Sequence, residues 1–146
     1  MDIMEKIYER AASDPQRVAF PEATEEKILL AARECVDKGL IIPVLVGDPA
    51  AIKAAAAEYK VDLTGMELFD ATDEAALDEL VTAYYQINSM LSEKTLKRRA
   101  QRDSIYTALY LLVLDKVDAM FAGLSHTTGD IIAAGSLIVG LKDGIV

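Results

Sequence analysis

Apolar residues along the chain fall into two kinds of stretch. Short, mostly apolar runs occur as RVAF at 17–20, LIIPVLV at 40–46, the weaker MELFD at 66–70, and VDAMFAG at 117–123. Runs of four to eight such residues bounded by turn formers predict strands buried on both faces. Between them, apolar residues recur at intervals of three and four, the spacing of a helix with one buried side. Residues 3–12 place Ile3, Met4, Ile7 and Tyr8 on one face. Thr24 is the predicted N-cap of a helix from Glu25 to about Asp37, and Gly39 follows it as the glycine that ends helices. Asp48 and Pro49 form a cap and first turn for an alanine-rich helix reaching Tyr59. Residues 73–88 and 92–114 read as helices, the second with a break near Asp103. A last helix runs from Thr128 to about Val139, and GIV at 144–146 reads as the start of a further strand.

Strands alternating with helices imply parallel pairing through right-handed crossovers. The predicted fold is therefore α/β, a three-layer α/β/α sandwich with a mostly parallel sheet, and residues 1–146 form a single domain of it. Such sheets bind ligands outside the carboxyl ends of their strands. Three segments reach that edge: PEATEEK from 21, GDPA from 47 and GLSHTTGD from 123.

Composition narrows the function. The 146 residues are 52% hydrophobic, enough for a real core, yet no segment offers the ~20 uncharged apolar residues of a membrane span. The N-terminus MDIMEKIYER lacks an apolar signal core, so the expected location is cytoplasmic, away from membranes. A single cysteine, Cys35, rules out an internal disulfide, weighs against a structural zinc site, and fits core packing. A net charge of −9 argues against nucleic-acid binding. It leaves room for an anionic small molecule, because local dipoles bind phosphate even within acidic proteins.

The densest candidate chemistry is FAGLSHTTGD at 121–130, which holds the only histidine. Gly123 allows a sharp turn, and Thr127 or Thr128 caps the helix that follows, leaving amides at its N-terminus. Amides, hydroxyls and an imidazole together suit a phosphate or carbonyl oxygen. Ordinary strand-to-helix capping, with His126 in a structural hydrogen bond, is the competing reading. No Gly-x-Gly-x-x-Gly and no Walker lysine occur, so neither dinucleotide nor P-loop binding is indicated.

VAFPEATEEKILLAA at 18–32, GLIIPVLVGDPAAIKAAA at 39–56 and VDAMFAGLSHTTGD at 117–130 resemble, in order and spacing, segments of the phosphate acetyl/butyryltransferase family. The likeness covers nearly the whole chain. It implies reversible acyl transfer, acyl-CoA plus phosphate giving acyl phosphate plus CoA, with CoA as a substrate and no bound cofactor or metal. It also implies catalytic roles for His126 and Ser125, and substrate or phosphate binding by Thr127, Thr128, Gly129, Asp130, Lys27 and Glu22. Asp130 is as well suited to orienting the loop as to chemistry.

Family members are about twice this length and place their site between two domains. By that resemblance the chain is the incomplete first domain of a two-domain protein: a partial chain, a fragment or one partner of a split enzyme. Alone it is expected to lack acyl transfer, and either to self-associate or to bind a second half. Family arginines fall on Ile87 and Ala133, and another becomes Lys27. A divergent enzyme for a longer acyl group and a non-catalytic binding or assembly module both follow from those changes. EKTLKRRAQR at 93–102 is the one basic concentration, with Lys94, Arg98 and Arg102 on one helix face. It reads either as a solvated face pairing with nearby acids or as a contact for CoA phosphates or a partner.

Overall fold

A computed structural model describes residues 2–145. In chain order its elements are α1 (Ile3–Ser13), β1 (Gln16–Phe20), α2 (Glu26–Asp37), β2 (Ile41–Gly47), α3 (Pro49–Glu58), β3 (Glu67–Asp70), α4 (Glu74–Ile87), α5 (Glu93–Arg102), α6 (Ser104–Val113), β4 (Ala119–Met120) and α7 (Thr128–Ile138). The four strands form one parallel sheet in the order β3-β2-β1-β4.

The apolar central strands are covered on both sides, as their composition requires. Ala19 pairs with Val44 and Phe20 with Leu45, so neighbouring pairs face opposite ways. Ala19, Val44 and Val46 pack with α4, α5, α6 and α7, where Leu77, Leu96 and Tyr110 are fully buried. Phe20 and Leu45 pack instead with Ile28 and Leu29 of α2 and Ile52 of α3. The result is the expected three-layer α/β/α arrangement.

Local chemistry sets most boundaries. Asp48 caps α3 by accepting from the Ala50 amide at 3.0 Å, with Pro49 in the first turn. Asp73 caps α4 through the Ala75 and Ala76 amides. The predicted break in 92–114 is real: Ser92 caps α5, and Asp103, in extended conformation, caps α6 through the Ile105 amide. Gly39 ends α2 with φ +66°, a conformation that side chains rarely adopt.

Several boundaries differ from the sequence reading. Thr24 does not cap α2; it lies in the turn before the helix, and Glu25 holds the N-cap position without a side-chain bond. The run at 117–123 narrows to Ala119–Met120, because after the Phe121 amide bonds the Ala19 carbonyl at 3.0 Å the next amides leave the ladder. GIV opens no strand within the described residues. Gly144 sits in a turn closed by the Ile145 amide on the Lys142 carbonyl, and Val146 lies outside the described residues. The apolar face of α1 forms but is uncovered, with Ile3, Met4, Ile7 and Tyr8 all exposed. No helix among the described residues is long and apolar enough to cross a membrane.

Candidate active site

Two carboxylates and one imidazole organise the carboxyl edge of the sheet. Glu22, just after β1, is 4% exposed. Its Oε1 accepts from the amides of Gly123 (2.8 Å) and Leu124 (3.0 Å). Its Oε2 accepts from the Ser125 amide (2.6 Å), the Ser125 hydroxyl (2.7 Å), the His126 amide (3.0 Å) and His126 Nδ1 (2.9 Å). Gly123, at φ +124°, lets the chain turn so that successive amides converge. Burial by itself would raise the Glu22 pKa. The bonds from His126, Leu124 and Ser125 overcome this and hold the carboxyl well below the usual carboxylate range.

His126 Nε2 faces Asp103 Oδ2 at 2.8 Å, from the junction of α5 and α6. With a carboxylate at each nitrogen, the ring donates from both in its protonated form, and both contacts favour that form. The bond to Glu22 raises its pKa above the ordinary 6.5; burial opposes this and Asp103 adds to it. Thr127 caps α7 by accepting the Asp130 amide at 3.1 Å.

His126 opens onto a cleft of about 350 Å³ lined by Arg99, Arg102, Asp103, Ile105 and Tyr106 on one side and by Asp130, Ala133 and Ala134 of α7 on the other. Arg99 Nη1 donates to the Tyr106 hydroxyl at 3.2 Å, with its guanidinium 5.4 Å from that ring's centroid. Of the residues singled out by sequence, His126, Asp130, Arg102 of the basic stretch and Ala133 line this cleft. Ser125 is exposed outside it with its hydroxyl on Glu22, Thr127 is spent on capping, and Thr128 and Gly129 are exposed in the first turn of α7. Lys27 is exposed on the first turn of α2 and does not line the cleft.

The amides of Gly123 to His126 are thus filled by the protein's own carboxylate and the Asp130 amide by Thr127, whereas the Thr128 and Gly129 amides at the start of α7 do not reach Glu22. Sequence reasoning saw Asp103 only as a helix break and gave Arg99 no place on the basic face. The Asp-Ser pair at 103–104 was the available signal, since a capping aspartate keeps a second oxygen free for another donor. Among the described residues, no three His, Cys, Asp or Glu side chains gather in a metal-holding group.

A parallel α/β sheet with its polar cluster at the carboxyl edge defines the class of protein. The family model described as phosphate acetyl/butaryl transferase matches residues 2–146, and the chain belongs to that family. A phosphate acetyltransferase of Clostridium acetobutylicum is 33% identical over 148 residues, covering 99% of this chain and 44% of that one. An NADP-dependent malic enzyme of Haemophilus influenzae is 30% identical over 147 residues, covering 97% of this chain and 19% of that one. A crystal structure of a phosphotransacetylase from Streptococcus pyogenes has the same fold, with a TM-score of 0.87 at 19% identity over 100% of this chain and 45% of that one. The chain spans less than half the length of these relatives.

Proposed function

We propose that the cleft is this chain's share of a phosphate acyltransferase site, where acyl phosphate and CoA exchange the acyl group. The observation that supports this best is the His126 loop, fastened to Glu22 and Asp103 and opening onto a cleft that carries two guanidinium groups, in a chain of this family. In the reaction the CoA sulfur bonds the carbonyl carbon, the carbon–oxygen bond to phosphate breaks, and the thiol proton is lost.

In its protonated form His126 cannot take that proton, because both ring nitrogens then donate to carboxylates. Its role is a fixed positive charge on the cleft wall, available where negative charge develops. Ser125 and Glu22 position it, and Asp103 sets its second nitrogen. Thiol deprotonation falls to a group outside this set.

The protonated histidine also favours a second reading, a module that binds these ligands without turning them over. That a malic enzyme carries a related segment over 19% of its length agrees with such use. Calorimetry with acetyl, propionyl and butyryl phosphate and with CoA, followed by an assay for acyl-CoA in which a family second half is supplied alongside the chain, separates the cases. Saturable binding with acyl-CoA formation supports the transferase, and binding without product supports the module. No binding of any acyl phosphate overturns both.

A further inference from the structure

We propose that the phosphate group is held by the guanidinium groups of Arg99 and Arg102 on α5, and not by the amides ahead of α7. This assignment rests on the acyl phosphate reading of the cleft. Four consecutive amides, Gly123 to His126, already donate to Glu22 at 2.6–3.0 Å. A phosphate could use them only by expelling a carboxylate whose side chain is 1% exposed. The two ring N–H groups of His126 are committed to Glu22 and Asp103. Two cations of the cleft therefore retain unused donors.

Their local chemistry fits the task. Arg99 spends Nη1 on the Tyr106 hydroxyl, while its Nε is buried without a partner. Arg102, exposed in the last turn of α5, makes no ion pair among the described residues, whereas Lys97 of the same helix is tied to Glu74 and Asp78. Residues three apart on a helix are side-by-side neighbours, so the two planar forks can share the oxygens of one phosphate. The opposite wall offers nothing comparable. Asp130 repels an anion there, and Ala133 and Ala134 are apolar. An acyl phosphate therefore lies with its phosphate toward α5 and its acyl group toward Ala133 and Ala134.

The test is calorimetric titration with inorganic phosphate of the parent, Arg102→Gln, Arg102→Lys, Arg99→Gln and the control Lys94→Gln, which is exposed and outside the cleft. Loss of a charge-assisted bond predicts at least about a tenfold weaker affinity for Arg102→Gln. Partial recovery is expected in Arg102→Lys, and no change in Lys94→Gln. Arg102 is exposed, so its variants should melt with the parent; Arg99→Gln, which also loses the Tyr106 contact, is expected to weaken binding likewise. Undiminished phosphate affinity in both glutamine variants overturns the assignment alone. A parent that binds no phosphate overturns the phosphate reading of the cleft and the assignment with it.

Discussion

Replacing Glu22 with glutamine keeps the shape of the side chain and removes its charge. The structure fixes the consequence, because two donors converge on one oxygen and four on the other. A glutamine amide can turn its NH2 toward only one set. Toward the Oε1 side it meets the Gly123 and Leu124 amides. Toward the Oε2 side it meets two Ser125 donors, the His126 amide and Nδ1. Either way donors face donors, and the imidazolium loses its buried counter-charge. Removing one partner of a buried pair costs about 3–5 kcal/mol. The six bonds do not add beyond this, because the loop is largely exposed and its amides can turn to water. For a chain of this size the cost corresponds to a fall in Tm of roughly 10–15 °C. Urea and thermal melts followed by circular dichroism measure the global loss, and amide hydrogen exchange at 123–126 measures the local one. Those amides should exchange with solvent much faster, and His126 should titrate closer to its ordinary 6.5. A parent-like melt together with unchanged exchange in Glu22→Gln would refute the claim that this carboxylate holds the loop.

The same cluster makes stability depend on pH in both directions: the raised His126 pKa gives stability that is complete below about 6.5 and lost as pH rises through the folded value, and the depressed Glu22 pKa gives stability present above about 4.5 and lost toward acid. Urea midpoints across pH should peak between those limits, and the alkaline decline should vanish in His126→Gln. Tyr84→Phe strands the buried Ile138 carbonyl that its hydroxyl reaches at 2.7 Å, so about 1–2 kcal/mol should be lost in denaturant melts, with faster amide exchange at the end of α7. Thr127→Ala removes the cap on the Asp130 amide and should cost about 1 kcal/mol by the same measurement. The short edge strand β4 lies near exposed Phe121 and Leu124, and light scattering should show self-association that charged replacements there reduce.

Much of the fold was legible because its determinants are local. Asp48-Pro49 marks the start of α3, Gly39 the end of α2, and the unbroken apolar runs the two central strands. The misplaced features depend on contacts distant in sequence. VDAMFAG has the composition of a seven-residue strand, yet its ladder stops early because Glu22, some hundred positions upstream, takes the amides that follow. Glu22 was given a binding role by the family resemblance alone, since nothing local shows that its oxygens meet the 123–126 loop. Thr24 lost its role to the turn that places Glu22. Among the site residues, His126 was evident as the single histidine of the chain. Its partner Asp103 and the cleft-facing Arg99 emerge only when α5, α6 and α7 are packed together.

The central claim is that acyl phosphate binds where His126 meets the α5–α7 cleft. Nitrogen–proton NMR spectra of the labelled chain, recorded while acetyl phosphate is added, test it most directly. The account predicts saturable shifts at His126, Arg99, Arg102, Ala133 and Ala134, with the amides of 123–126 still bonded to Glu22. Saturable shifts confined to other surfaces, such as the first turn of α2 around Lys27, or no shifts at all, would contradict it.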